Sequence, residues 1–286
     1  MMSRCMRAHK LIILLLTLFF IHLVGCCVHV SMVDIPPLVA QRPLARVVAA
    51  HRGPPIHGDL PDNSLAAITS SVQHKIPFIE VDVRLSHEGE LFLFHDGSLT
   101  SGNSFSPSRL HGRPIQSLSH EERSEAFLNK QRSLAIPSFE SALSAIREGS
   151  SSLQVDLKGE SDALARKVIE TAQSMGLLSR VLVQVRNPER VAMLRKSFPA
   201  ARILARCLSP HDLKSAIAQQ VEFVELERWI SSDAIADAHR AGIQVLINVA
   251  TSRLDESATW EYFRSRGVDS ITSDRAAEHL LVTPLR

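Results

Sequence analysis

Three carboxylates sit in this sequence where ordinary packing would place apolar side chains. In Ile79-Glu80-Val81-Asp82-Val83-Arg84 the apolar residues share one face of an extended chain and the charged residues share the other. The pattern returns in Leu153-Gln154-Val155-Asp156-Leu157-Lys158. Strands of a parallel barrel are covered on both faces, so Glu80, Asp82 and Asp156 would converge on a confined interior. There they lose hydration and repel each other, and they need a cation or a proton to be tolerable. Three oxygen ligands without sulfur suit a hard divalent cation, Mg²⁺ or Ca²⁺, rather than zinc. Lys158 lies on the same face, further along its strand. It either contacts a substrate anion, the preferred reading, or neutralises the acidic cluster.

Two histidines stand at the edge of that pocket. Val47-Val48-Ala49-Ala50 runs directly into His51-Arg52-Gly53, and Leu91–His95 ends in a histidine followed by Asp96 and Gly97. A lone histidine at a strand end is more often structural than catalytic, and the other histidines of the domain are read that way. His51 and His95 beside an acidic pocket and Arg52 are harder to dismiss. Together these groups suffice for displacement at a phosphodiester. The cation and Arg52 hold the non-bridging oxygens, one imidazole deprotonates the attacking hydroxyl, and the other protonates the leaving alkoxide.

The elements that must position these residues read as an α/β domain, with short apolar runs alternating with longer helical stretches. The strand candidates are Arg46–Ala50, Phe78–Leu85, Leu91–His95, Leu153–Lys158, Val181–Val185, Arg202–Cys207, Phe223–Glu227, Gln244–Val249 and Ser270–Thr272. Only Ser86-His87-Glu88-Gly89-Glu90 separates the second from the third. That is too short for a parallel crossover, so Leu91–His95 must fold back as an antiparallel hairpin. The expected fold is a TIM-type (β/α)8 barrel with one extra antiparallel hairpin strand after barrel strand 2, and its active site belongs at the C-terminal ends of the strands. Helix starts are marked by Ser64, Ser138, Ser161 and Ser231, and two stops by Gly176 and Gly242. The stretch Gly97–Ser119 shows no sustained apolar period. It reads as a long polar loop over the barrel mouth.

The chain has 286 residues, 45% of them hydrophobic, which is enough for one large core. Its 32 basic and 30 acidic residues are spread without a basic block, so nucleic-acid binding has no electrostatic support. No protein partner can be inferred. The N-terminal residues differ: Arg4, Arg7 and Lys10 precede an apolar run from Leu11 to Val24, the layout of a secretory leader. Leu23-Val24-Gly25-Cys26 resembles the lipobox of bacterial lipoproteins, in which the cysteine is lipidated. The alternative extends the run to Val33 as an uncleaved signal anchor. Either reading exports the domain and holds it at a membrane. Residues 1–25 are thus expected to be the leader or anchor, 26–45 a linker, and 46–286 the catalytic domain. Cys207 is alone in that domain, and its position after an apolar run marks it as a small core residue.

The ordered set of motifs resembles the glycerophosphodiester phosphodiesterase family. It comprises Ala50-His51-Arg52-Gly53, Pro61-Asp62-Asn63-Ser64-Leu65, Ile79 to Arg84, Gly89, His95-Asp96, Ile136-Pro137-Ser138-Phe139-Glu140, Val155-Asp156-Leu157-Lys158 and the closing run Gly267 to Asp274. The resemblance implies a barrel with one irregular hairpin. It also implies that His51 and His95 are general acid and base, that Arg52 binds phosphate, and that the carboxylates bind a metal. The implied reaction releases glycerol 3-phosphate and an alcohol from a glycerophosphodiester. Three positions depart from the family pattern: Asp62 and Asp156 replace the usual glutamates, and Ile247-Asn248-Val249-Ala250 replaces a Trp-Thr-Val-Asn run. Two other functions compete. One is a phospholipase D-like lyase on lysophospholipid or sphingolipid, against which the single domain cysteine counts because such enzymes usually tie a catalytic loop with a disulfide. The other is a catalytically inactive binding module of the cell envelope.

Overall fold

The computed structural model describes residues 47–282, apart from positions 57, 59, 160, 228, 229, 251, 253 and 254. The expected leader, its lipobox and the linker lie outside the described residues. Among the described residues no helix is long and apolar enough to cross a membrane.

The strands are β1 (Val47–Ala50), β2 (Phe78–Leu85), β3 (Leu91–Leu93), β4 (Ser152–Leu157), β5 (Val181–Val185), β6 (Arg202–Cys207), β7 (Phe223–Leu226), β8 (Gln244–Asn248) and β9 (Ser270–Ser273). They form one sheet in the order β1-β9-β8-β7-β6-β5-β4-β2-β3, and β1 also pairs with β2, which closes eight parallel strands into a barrel. β3 is bonded outside the closure, antiparallel to β2, with Val83 opposite Leu93. The short connection decides this: Ser86 N–H donates to Glu90 O at 2.9 Å, and Gly89 takes a φ of +83° in the turn. Regular pairing in β3 ends at Leu93, two residues before His95, although Phe94 N–H still donates to Asp82 O at 3.0 Å.

Helices cover the barrel's outer face. They include α1 (Leu65–Gln73), α3 (Phe139–Arg147), α4 (Asp162–Ser174), α5 (Pro188–Ser197), α6 (Pro210–Ala218), α7 (Ser232–Arg240), α8 (Ser257–Ser265) and α9 (Ala276–Val282), with a short α2 (His120–Ser124) between β3 and α3. Each serine expected to start a helix does so by accepting a first-turn N–H: Ser64 from Ala67, Ser138 from Ser141, Ser161 from Leu164 and Ser231 from Ala234.

The interior is layered. Ala49, Phe78, Leu182, Leu204, Phe223 and Leu246 pack as one apolar plug. Two residues further along the same strands the inward positions are His51, Glu80, Gln184, Arg206, Glu225 and Asn248. The strand period of two therefore stacks a polar layer directly on a dry floor, towards the C-terminal rim.

The segment expected to be a polar loop is a packed insertion. Leu99, Leu110, Ile115, Leu118 and Ala126 join Phe92 and Phe94 of the hairpin in a separate apolar cluster. Two single 3₁₀ turns, Ser108–Leu110 and Ile115–Ser117, lead into α2. Its apolar residues are spaced irregularly because turns, and no sustained helix or strand, deliver them inward. No periodicity could reveal that core.

Candidate active site

The loop after β1 is shaped to hold two carboxylates. Arg52 and Asn63 both adopt left-handed backbone, with φ of 54° and 56°. In that conformation Arg52 N–H donates to Glu80 Oε2 at 2.7 Å, and Asn63 N–H donates to Arg52 O at 2.6 Å. The Asn63 side chain then grips Asp82 twice, donating to Oδ2 at 2.6 Å and accepting Asp82 N–H at 2.9 Å. Gly53, at φ +105°, lies so close to α1 that a Cβ would stand 3.3 Å from that of Ala67.

Glu80, Asp82 and Asp156 are buried, and each offers an oxygen within 4.8 Å of the others. Asp82 and Asp156 are register partners on adjacent strands, which brings them together. Burial, followed by the charges of Asp82 and Asp156, pushes Glu80 up to about 8, against the opposing pull of His51 and the Arg52 N–H. Asp82 behaves oppositely. Burial would raise it, but Lys158 and the Asn63 amide hold it below the usual carboxylate range. The Lys158 ammonium lies 2.9 Å from Asp82 Oδ1 and 2.6 Å from Asp156 Oδ2, so its place in the structure is that of a neutralising partner. Arg186, just beyond β5, adds a guanidinium nitrogen 3.3 Å from Asp156 Oδ2. This donor set fits a hard cation: all oxygen, convergent, and held from behind by amides.

The two imidazoles differ in their supports. His51 Nδ1 is 2.7 Å from Asp274 Oδ1, and both side chains are largely buried. Burial works to lower His51, but the hydrogen bond to Asp274 and the charges of Glu80 and Asp274 outweigh it, so its pKa is raised above 6.5. Asp274 is itself fixed by its backbone N–H, which donates to Asp255 Oδ2 at 2.7 Å. His95 Nδ1 is 2.7 Å from Asp96 Oδ1, with a side chain 38% exposed. Asn103, from the insertion, donates to Asp96 Oδ2 at 2.6 Å. The buried Arg84 ties the hairpin end down by donating to Phe94 O at 2.9 Å and to His95 O at 2.6 Å. With Nδ1 engaged on a carboxylate in each ring, Nε2 is the atom able to exchange a proton with a substrate.

The structure therefore brings oxygens of Glu80, Asp82 and Asp156 within 4.8 Å of one another, with Lys158 paired to the two aspartates and Arg52 alongside: its Nε lies 3.7 Å from Asp82 Oδ2, and its Nη1 donates to Asp62 Oδ2 at 3.2 Å. Sequence reasoning assigned no part to Asn63, Arg84, Asp96, Asp255 or Asp274. Asp96 and Asp274 lay within recognised runs, whereas nothing near Asp255 in sequence signals its place behind Asp274. Two of the residues read as structural, His279 and Cys207, are buried in the packing. His279 is buried, stacks on Trp260 with ring centroids 3.4 Å apart, and is driven down to about 3 by burial and by Arg264 and Arg275. Cys207 is buried, and burial pushes its thiol up to about 12, far from a thiolate nucleophile.

A closed parallel barrel with an external hairpin strand and an acidic cluster at its C-terminal rim defines the class, and comparison with known proteins narrows it. The model of the glycerophosphoryl diester phosphodiesterase family matches residues 51–278, and the chain belongs to that family. A glycerophosphodiester phosphodiesterase of Bacillus altitudinis is 25% identical over 156 residues, 53% of this chain; the match spans 62% of that relative's length. Among solved structures, a Galdieria sulphuraria protein proposed to be a glycerophosphodiester phosphodiesterase superposes with a TM-score of 0.71 at 23% identity, covering 83% of this chain and 98% of that one. An Oleispira antarctica phosphodiesterase, solved in complex with the product sn-glycerol-3-phosphate, superposes with a TM-score of 0.67 at 19% identity, covering 82% and 95%. These likenesses show the fold.

Proposed function

We propose that this chain hydrolyses glycerophosphodiesters to glycerol 3-phosphate and an alcohol, with a divalent cation, Mg²⁺ or Ca²⁺, held by Glu80, Asp82 and Asp156. The observation that carries the reading is the convergence of three buried carboxylates beside a histidine whose Nδ1 is fixed by Asp274. Membership of the family supports the substrate class, as does the product bound to the Oleispira antarctica structure. A bound cation would neutralise the carboxylates and polarise the non-bridging phosphate oxygens.

The protein's own groups do the rest. Arg52, 3.7 Å from Asp82 at the same rim, supplies a permanent positive charge for the phosphate. Lys158 neutralises Asp82 and Asp156 in this structure, and a cation held by those carboxylates would leave its ammonium able to serve as a second contact to that anion. One imidazole of the His51 and His95 pair accepts at Nε2 the proton of the attacking hydroxyl, and the other returns a proton at Nε2 to the departing alkoxide. One P–O bond forms and one breaks, with no net change in protons on the pair.

The apolar run Leu11–Val24 and the lipobox-like Leu23-Val24-Gly25-Cys26 support export and membrane attachment through a lipid or an anchor. Incorporation of labelled palmitate in a bacterial host, abolished by Cys26→Ala, is the expected result for a lipoprotein. Retention of an unlabelled full-length chain in the membrane fraction favours the anchor.

Activity is tested with the full chain in mild detergent by phosphorus NMR of glycerophosphocholine and lysophosphatidylcholine, with Mg²⁺, with Ca²⁺ and with EDTA. The expected result is ion-dependent appearance of glycerol 3-phosphate from the first. Consumption of lysophosphatidylcholine alone would reassign the chain to lyase chemistry. If neither substrate is consumed under any ion, the enzymatic reading fails.

A further inference from the structure

The wall of the barrel across from the metal ligands carries a charge that the proposed reaction does not use. Glu225, the third residue of β7, is 1% exposed, and neither carboxylate oxygen has a hydrogen-bond partner among the described residues. Burying a carboxylate without hydrogen bonds is costly. Its register partner on β6 is Arg206, whose guanidinium pairs with Glu227 through Nη2. The Nε–H of Arg206 lies 3.5 Å from Glu225 Oε1, too poorly placed to count as a hydrogen bond, and is itself buried without an acceptor. Thr272 of β9 contributes a fourth buried polar atom without a hydrogen-bond partner among the described residues, its Oγ1.

These groups face the same interior as the reacting residues. Glu225 stands one inward step above Phe223 of the apolar plug, as Glu80 stands above Phe78. The charges of Arg206, Asp156, Arg186 and His51 all act on Glu225, whose pKa burial raises. Of the groups a substrate could offer, the pair is complementary to one class. A carboxylate needs a donor and an Nε–H needs an acceptor, and a hydroxyl is both at a single atom. An ammonium group only donates, a quaternary ammonium does neither, and an unprotonated phosphate oxygen only accepts.

Building on the proposed diesterase activity, we propose that Glu225 and Arg206 form a hydroxyl-recognition subsite, which takes a free hydroxyl of the substrate on the wall opposite the metal ligands. That hydroxyl comes either from the glycerol moiety or from a polyol leaving group.

The test is equilibrium binding, which needs no turnover and so separates this subsite from the activity itself. Ethyl phosphate (no hydroxyl), sn-glycerol 3-phosphate and inositol 1-phosphate are titrated calorimetrically into wild type, Glu225→Leu and Glu225→Gln, each in Mg²⁺ and in Ca²⁺. Wild type is expected to prefer a hydroxylated ligand over ethyl phosphate by about tenfold or more, the worth of a hydrogen bond to a charged group. Glu225→Leu should erase that preference while leaving ethyl phosphate unchanged, and Glu225→Gln should restore part of it. Loss confined to glycerol 3-phosphate assigns the subsite to the glycerol moiety; loss confined to inositol 1-phosphate assigns it to the leaving group. The proposal is overturned if wild type shows no preference, if the preference survives in Glu225→Leu, or if ethyl phosphate binding falls equally, which marks Glu225 as structural.

Discussion

The two histidines reach the same rim by different means. His51 leaves a barrel strand, is 12% exposed at its side chain, and leans on Asp274, which leans in turn on Asp255. Asp255 also accepts from Ser273 Oγ at 2.6 Å and from Trp260 Nε1 at 2.8 Å, so the chain of support ends in the helical coat. His95 ends an external hairpin and is held by Asp96 and Asn103, two residues of an insertion with its own small core. One imidazole is built into the main fold and titrates where buried charges put it. The other rides on a separately packed unit and keeps contact with solvent. In the proposed mechanism the two share one proton between them, and each is held in place by a different part of the molecule.

The largest expected effect comes from removing an imidazole. His51→Ala and His95→Ala should each lower kcat for glycerophosphocholine by about 10²–10⁴-fold, measured with ion at saturation. Removing the orienting carboxylates should separate the two supports. Asp274→Asn is expected to lower kcat/KM by about 10–100-fold, and Asp96→Asn by less, because its pair is nearly half exposed. Equal losses would show that burial does not distinguish them.

Stability offers a different handle. Glu80 holds its proton up to about 8 in the ion-free fold, whereas its ordinary value is 4.5. The folded state therefore binds the proton more tightly, and the stability this gives is present at low pH and lost as pH rises from about 4.5 through about 8. In EDTA the Tm should fall across that window. Glu80→Gln should flatten the fall, raise the Tm at its upper end, and remove the Tm increase that Mg²⁺ or Ca²⁺ gives wild type. In the insertion, Ile115→Ala should cost about 2–5 kcal/mol. Hydrogen exchange should show that loss in residues 96–137, with the barrel strands still protected and with activity reduced through His95. The smallest effect is expected at Ser64→Ala, about 1 kcal/mol for a lost helix cap, read from denaturant unfolding.

The barrel was legible because its determinants are local. Strand alternation declares Glu80, Asp82 and Asp156 inward, and five residues between β2 and β3 permit only a hairpin. The parts that stayed hidden depend on distant contacts. Asp274 meets His51 across 223 positions of sequence, and Asp255 meets Asp274 through a backbone N–H that leaves no trace in composition. Lys158 shares a face with the carboxylates in either of its two expected roles, and its pairing with Asp82 and Asp156 depends on where the folded chain puts Nζ. Glu225 shares a strand face with Glu227, a pattern that suits a pocket residue and a salt-bridge partner equally. The structure places Arg206 beside it without a hydrogen bond, a distinction of a few tenths of an ångström that no pattern carries.

The proposal that His51 and His95 act as one pair held by separate supports is tested most directly by the pH dependence of kcat/KM for wild type, Asp274→Asn and Asp96→Asn. Wild type should give a bell. Asp274→Asn removes the hydrogen bond and charge that raise His51, so one limb should move to lower pH, while Asp96→Asn should leave that limb in place. A limb that stays fixed in Asp274→Asn, or that moves equally in both variants, would contradict the assignment of His51 to the reaction.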